Sequence, residues 1–151
     1  MRVLFLAAGY DQRAYYRWLH KEGHEVVAVD YSENPKAKDL ADRFYQVSTL
    51  DEAAVEWVAQ KEKVERIITD CTDQALLTMA RVSEKLGLPC HLTPQQALEL
   101  TNKFYMKKRL IKAGVPTARY LVVNGATWGD SKAKNTDVDG VSGGGRVLNF
   151  P

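Results

Sequence analysis

Over its first ninety residues the chain alternates short apolar runs with amphipathic stretches, and this alternation leaves it few architectures. Repetition of strand and helix builds βαβ units, in which a parallel sheet is covered by helices on both faces. Four strands are read: Arg2 to Ala7, Glu25 to Asp30, Arg43 to Val47 and Arg66 to Thr69. The first is continuously apolar, as a strand buried on both faces requires, and Gly9 breaks it. Between the strands, helical spacing predicts a helix from about Asp11 to Glu22, with Ala14, Tyr15, Trp18 and Leu19 inward and Gly23 at its end. A short helix is expected around Lys36 to Ala41. Asp51 caps the next, which runs to about Glu62 with Ala54, Val55, Trp57 and Val58 on its apolar side. The last of the set, Asp73 to Leu86, turns Leu76, Leu77, Ala80 and Val82 inward and is closed by Gly87 and Pro89.

Beyond Pro89 the rhythm changes to two helices in succession. Thr93 as cap with Pro94 at the first helical position opens one, and Asn102 to Ala113, closed by Gly114, forms the other. A strand-like run, Ala118 to Val123, follows Pro116. Residues 124–151 hold six of the ten glycines and show neither a period of 2 nor one of 3.6, so an irregular tail is expected there. The predicted organisation is an α/β domain over 1–92, linker helices and the start of a further domain over 93–123, and a Gly-rich irregular tail over 124–151.

Composition narrows the function classes. Lys plus Arg number 21 against 19 Asp plus Glu, and a formal charge of +2 gives neither a nucleic-acid footprint nor a polybasic membrane surface. No apolar run approaches the roughly 18 residues of a membrane span. Cys71 and Cys90 stand far apart without CxxC spacing, which excludes a disulfide framework and a structural zinc site and fits a reducing cytoplasm. His20, His24 and His91 are scattered, so no metal cage and no nucleophile–base pair is assigned, and no catalytic residue is named.

Candidate contacts gather where strands end. Ala7-Ala8-Gly9-Tyr10-Asp11-Gln12 lies at the turn from strand one into helix one, where doubly wound sheets hold ligands on backbone N–H groups. With Gly9 as first glycine of a G-x-G-x-x-G fingerprint, Asp11 and Ala14 occupy the other glycine positions, which disfavours NAD or FAD. A plain tight turn at Gly9 weighs more. Asp30 reads as a turn or cap residue. Thr69-Asp70-Cys71-Thr72-Asp73 ends strand four at the same edge, with Asp73 weighed as an N-cap ahead of a substrate contact. Cys71 precedes a helix N-terminus whose dipole would favour thiolate, with packing as the default role.

The segment Thr101-Asn102-Lys103-(x)2-Met106-Lys107-Lys108-(x)4-Lys112-Ala113-Gly114-Val115-Pro116-Thr117 resembles the linker that joins the preATP-grasp domain to the ATP-binding part of ATP-grasp enzymes. Carbamoyl-phosphate synthase large chains, biotin carboxylases and related ligases share it. The Gly9 turn, Val29-Asp30 and the strand-four segment ending in Asp73 are similar too, so the likeness covers about residues 1–123. The resemblance implies a three-layer, Rossmann-like preATP-grasp domain and an ATP-dependent carboxylate–amine or carboxylate–thiol ligase that forms an acyl phosphate with ATP and Mg²⁺. Lys103 matches the family's first nucleotide-contacting lysine, a compact cation suited to phosphate oxygens. Gly9, Asp11, Thr72 and Asp73 are the expected substrate contacts, Asp73 standing where relatives place an acidic residue against an amine-bearing substrate.

The family continues into a lysine–proline strand, a glycine-rich phosphate loop and acidic magnesium ligands. Val138 to Val147 resembles the glycine loop, but Thr136-Asp137 stand where Lys-Pro belongs, and Trp128 to Asn135 does not read as the expected helix. Phosphoryl transfer needs metal, two cationic contacts and a backbone cradle together. The chain alone is therefore expected to show no ligase turnover and to bind a small-molecule substrate, with neither nucleic acid nor membrane as partner. Its linker helices are expected to dock on a second copy or on a separate ATP-grasp subunit. The alternative is a noncatalytic α/β module that binds a small ligand around Gly9, Asp30 and Asp73.

Overall fold

A computed structural model describes residues 1–118, 120–123 and 146–149. Two compact units, Met1–Ala97 and Leu98–Pro151, make up the chain. In the first, β1 (Arg2–Leu6), α1 (Arg13–Lys21), β2 (Glu25–Asp30), β3 (Arg43–Gln46), α2 (Glu52–Glu62), β4 (Arg66–Thr69) and α3 (Ala75–Leu86) follow in order, with a 3₁₀ turn over Lys38–Leu40. The four strands pair in parallel in the order β3-β2-β1-β4. Leu6 lies level with Val29 on one side and Thr69 on the other, so the carboxyl ends of β1, β2 and β4 form one edge.

Alternate residues of these strands enter two cores. Leu4, Leu6, Val27, Val29 and Ile67 pack with Val55, Val58, Ala59, Met79 and Val82 of α2 and α3. Phe5, Val26 and Ala28 pack with Tyr16, Leu19 and Ala37 on the other side. This is the three-layer α/β arrangement that the strand–helix alternation predicts, and burial on both faces explains why β1 and β2 are nearly all apolar.

Helix bounds agree closely with the sequence, whereas the expected inward faces hold only in part: Leu19, Val55, Val58, Ala80 and Val82 are buried, but several aromatics are not. In α1 the buried residues are Tyr16 and Leu19, while Tyr15 and Trp18 are 39% and 50% exposed and Ala14 is exposed. The inward stripe runs through Gln12, Tyr16 and Leu19: the Tyr16 ring meets Phe5 with centroids 4.7 Å apart, while Tyr15 reaches the same ring from the flank, edge-on at 5.5 Å. In α2 the buried set is Val55, Val58, Ala59 and Glu62. Trp57 is instead exposed, with the Lys61 ammonium 4.6 Å from its ring centroid. Helix α3 begins at Ala75 rather than Asp73: the Ala75 and Leu76 N–H groups donate to the Thr72 and Asp73 carbonyls, and Asp73 does not serve as N-cap. Thr78, Met79 and Ser83 join Ala80 and Val82 in its buried face, with Leu76 and Leu77 half-buried.

Glu62 is the charge the sequence gives no reason to bury. It is 4% exposed and accepts hydrogen bonds from the Tyr45 hydroxyl and the Arg43 guanidinium, while Arg2 Nη1 sits 3.8 Å away and donates to the Glu62 carbonyl. Glu25 closes the network, 2.8 Å from Arg2 and 3.6 Å from Arg43. A buried carboxylate persists only when paired in this way.

After the first unit's strands come α4 (Pro94–Thr101), α5 (Lys103–Lys112), β5 (Tyr120–Val123) and β6 (Arg146–Asn149). Thr93 and Gln96 form the reciprocal capping box at the start of α4: Gln96 N–H donates to Thr93 Oγ1 at 3.2 Å and Thr93 N–H to Gln96 Oε1 at 2.9 Å. Asn102 caps α5 through the Phe104 N–H at 3.0 Å. Strand β6 departs from the expected irregular tail: it pairs antiparallel with β5, Val147 opposite Val122, so a four-residue run too short to show a period gains regularity from its partner. The phosphate-loop likeness at 138–147, for the most part, and the segment 128–137 lie outside the described residues. Among the described residues no helix is long and apolar enough to cross a membrane.

Hydrogen bonding from Tyr45, with Arg43 and Arg2, holds the Glu62 carboxyl below its ordinary value of 4.5 against the opposing effect of burial. A depressed carboxyl contributes stability above its unfolded value and loses it as pH falls through the folded value. Glu62→Gln is therefore expected to lower stability by about 2 kcal/mol at pH 7. In urea titrations the gap to the wild type should shrink below pH 4.5.

Candidate functional site at the carboxyl edge of the sheet

Past Leu6 the chain turns sharply. Ala7 adopts φ +94°, a region that side-chain-bearing residues enter at a cost of about 1–2 kcal/mol and that surrounding bonds must impose. Those bonds are present. Ala7 N–H donates to the Val29 carbonyl at 2.9 Å, and the Tyr16 hydroxyl donates to the Ala7 carbonyl at 2.7 Å. Ala8 N–H donates to Asp30 Oδ2 at 2.9 Å, and the Ala37 N–H to the Ala8 carbonyl at 2.8 Å. Burial, with the Asp30 carboxylate nearby, pushes the Tyr16 hydroxyl far up, so it stays protonated and donating.

Asp30 is 7% exposed, and its second oxygen accepts the Ser32 N–H at 2.9 Å. It is a turn residue, as the sequence suggested, and also the acceptor for the neighbouring turn. Gln12, 4% exposed, reaches across the edge and donates from Nε2 to the Asp70 carbonyl at 2.8 Å. A Cβ built on Gly9 would lie 2.8 Å from Gln12 Oε1, so a side chain at position 9 would displace the Gln12 amide. The Thr69 hydroxyl donates to the Leu6 carbonyl at 2.9 Å, joining the ends of β1 and β4 from the other side.

Around these turns opens a cleft of about 490 Å³. Gly9 and Asp11 line it from the first turn, Asp30, Tyr31, Ser32 and Lys36 from the segment after β2, and Cys71 and Thr72 from the turn after β4. It lies between strands whose connections leave in opposite directions, the place where open α/β sheets receive ligands. Arg13 anchors its rim, donating to the Lys36 carbonyl and to both Asp39 oxygens, at 2.5 and 3.0 Å.

Of the residues expected from the sequence, Gly9, Asp11 and Thr72 come together on this cleft, whereas exposed Asp73 is outside its lining. Lys103 is exposed in the first turn of α5, in the second unit. In that helix the buried cation is Lys107, whose ammonium donates to Thr117 Oγ1 at 3.2 Å and the Ala118 carbonyl at 3.0 Å and stands 5.3 Å from the Tyr120 ring centroid. Cys71 fits neither reading: it is exposed rather than packed, and a hydrogen bond to Asp70, then desolvation and the Asp70 and Asp11 charges, push its thiol up, away from thiolate. Helix α3 begins four residues beyond it, too far for the dipole to act.

Sequence reasoning missed Tyr16 and Gln12. The signal was the fingerprint read in another frame: with Gly9 as second glycine, Ala7 takes the first position, where positive φ is demanded, and Gln12 the third, where helix and strand approach closely.

No family model matches the chain. It is 25% identical over 137 residues to the formate-dependent phosphoribosylglycinamide formyltransferase of Mannheimia succiniciproducens, a match covering 91% of this chain and 35% of that relative. The phosphoribosylglycinamide synthetase of Anaerococcus prevotii superposes with a TM-score of 0.71 at 27% identity, over 83% of this chain and 32% of its own. The chain is a relative of the ATP-grasp enzymes. It spans about a third of the length of the relatives it matches, and its first unit has the preATP-grasp fold of ATP-grasp proteins. A further ATP-grasp neighbour, N5-carboxyaminoimidazole synthetase from Staphylococcus aureus, was solved with ADP; it shares the fold with a TM-score of 0.65 at 22% identity, over 83% of this chain and 33% of its own.

Removing the Asp30 carboxylate strands the buried Ala8 N–H. Asp30→Ala is expected to destabilise the chain by about 3 kcal/mol and Asp30→Asn, which keeps one acceptor, by about half that, as read from urea unfolding.

Proposed function

We propose that this chain supplies the substrate-side cleft and the first nucleotide-contacting lysine of an ATP-dependent ligase. The observation that carries this reading is the polar cleft at the carboxyl edge, lined by Gly9, Asp11 and Thr72. Its lining combines an ammonium (Lys36), a carboxylate (Asp11) and the hydroxyls of Tyr31, Ser32, Thr49 and Thr72, which suits a small, polar, hydroxylated substrate. Relatives named for phosphoribosylglycinamide favour a phosphoribosyl compound, ahead of the carbamoyl-phosphate synthase likeness whose specific part is the linker. In the reaction class we infer, ATP activates a carboxylate as an acyl phosphate, and an amine or thiol then displaces phosphate. The cleft's part is to bind and orient one partner.

Lys103 is the proposed nucleotide contact. Exposed at the N-terminal turn of α5, it adds an ammonium to a helix end already favourable to anions. The magnesium of the family finds no holder here: among the described residues no group of three His, Cys, Asp or Glu side chains is placed for a metal. Asp73, outside the lining, is proposed only as a rim contact.

A second reading, docking of the linker helices on another copy or on a separate subunit, is favoured by Leu100 and Ile111, 52% and 51% exposed. A sedimentation profile that stays monomeric at high concentration would exclude the homodimer.

Ligands that bind only the native state raise stability by mass action, about 2.7 kcal/mol at one hundred times Kd. Phosphoribosylglycinamide is expected to raise the melting temperature of the full chain by several degrees, and Asp11→Ala with Thr72→Ala to abolish the rise. Mg-ATP should give a separate rise that Lys103→Ala loses. Absence of both shifts in the wild type would refute the assignment.

A further inference from the structure

Two residues other than glycine in the turns that face each other across the cleft carry positive φ: Ala7 at +94° and Cys71 at +55°. Ala7 is explained by the bonds around Asp30 and Tyr16. Cys71 has no such set. Its turn is tied to the rest of the sheet edge by the Asp70 carbonyl, which accepts Gln12 Nε2 at 2.8 Å and the Thr72 hydroxyl at 3.4 Å. Gln12 is a polar side chain almost wholly buried, its amide bonded to the Asp70 carbonyl and filling the space that a side chain at position 9 would need. A nucleotide fingerprint read from Ala7 has glycine at this position, where the side chain is absent.

We propose that Gln12 is a positioning residue, a strut that fixes the spacing between the turn after β1 and the turn after β4 and so sets the geometry of Asp11 and Thr72 across the cleft. This rests on the reading of that cleft as the substrate site. The strut acts through one contact and its own place in the chain. Its amide N–H fixes the Asp70–Cys71–Thr72 turn, and its backbone, as N-cap of α1, belongs to the turn after β1, so neither turn shifts without the other. A neutral amide suits the role: a carboxylate would face the Asp70 carbonyl with like partial charge, and an apolar chain would leave that carbonyl without its donor. Displacement of a contact by about 1 Å is enough to reduce productive binding strongly.

The test compares the full chain with Gln12→Met, which keeps length and volume but has no donor, and Gln12→Glu, which keeps polarity but reverses it. Melting temperature and far-UV circular dichroism establish that each is folded. Two readouts follow. The affinity for phosphoribosylglycinamide, by calorimetry, is expected to fall at least tenfold in both variants. Alkylation of Cys71 by iodoacetamide, followed on its own peptide so that Cys90 does not interfere, is expected to speed up at least threefold as the turn relaxes and the thiol leaves Asp70. A residue that merely filled space would move neither in Gln12→Met. Unchanged Cys71 rates in the folded variants overturn the strut. Failure of the wild type to bind overturns the cleft reading instead, and the alkylation rates then still decide whether Gln12 holds the two turns together.

Discussion

The carboxylate of Asp30 is the contact on which this sheet edge depends. At the end of a parallel strand the ladder stops and the next N–H groups have no strand partner, yet the turn into α1 is too enclosed for water to satisfy them all. Asp30, the last residue of β2, places one oxygen on the Ala8 N–H and the other on the Ser32 N–H, so one side chain ends two strands at once. With Ala8 fixed, Ala7 is held in its strained conformation and presents its carbonyl to Tyr16, which seats α1 on Phe5. The position of Gly9, and with it one wall of the cleft, follows from that sequence of constraints.

Local signals carried most of the fold. The bounds of β2, β4 and α2 could be read from the chain because each is set within a few residues: Asp51 caps α2 by accepting the Ala54 N–H, and Thr93 with Gln96 closes its own box. What local reasoning misplaced was which face of a helix turns inward. Tyr15, Trp18 and Trp57 are apolar enough to be counted as core, but helix orientation is decided by the strand residues opposite: both Tyr15 and Tyr16 meet the Phe5 ring, and only Tyr16 is also held by the Ala7 carbonyl and buried. The same limit governs the site. Gly9, Asp11 and Thr72 were legible because the ends of parallel strands lie on one edge whatever their side chains. Asp30 was legible only as a turn residue, its bond to Ala8 lying 22 residues away, and Gln12 was not, since its partner is 58 residues away and the glycine that would flag the turn is an alanine.

In the second unit the linker motif contains two lysines four residues apart whose environments divide their roles. Lys107 is buried and its ammonium is used on Thr117, Ala118 and the face of Tyr120, which ties the end of the helix to the strand that follows. Lys103, a turn earlier, is exposed. A motif match treats the lysines alike; burial separates Lys107, whose ammonium is used within the unit, from the exposed Lys103, Lys108 and Lys112.

A comparable division runs through the cleft. Its buried polar groups are occupied by one another: both Asp30 oxygens by backbone N–H groups, the Tyr16 hydroxyl by a carbonyl, the Gln12 amide by Asp70. Redirecting any of them to a ligand would leave a buried donor or acceptor unpaired, at a cost of about 1–3 kcal/mol, which offsets the new hydrogen bond to the ligand. They define the shape of the cleft. The more exposed side chains on the connecting segments, among them Asp11, Tyr31, Ser32, Lys36 and Thr72, line it above that frame. Such residues can be exchanged without unpairing the frame beneath them.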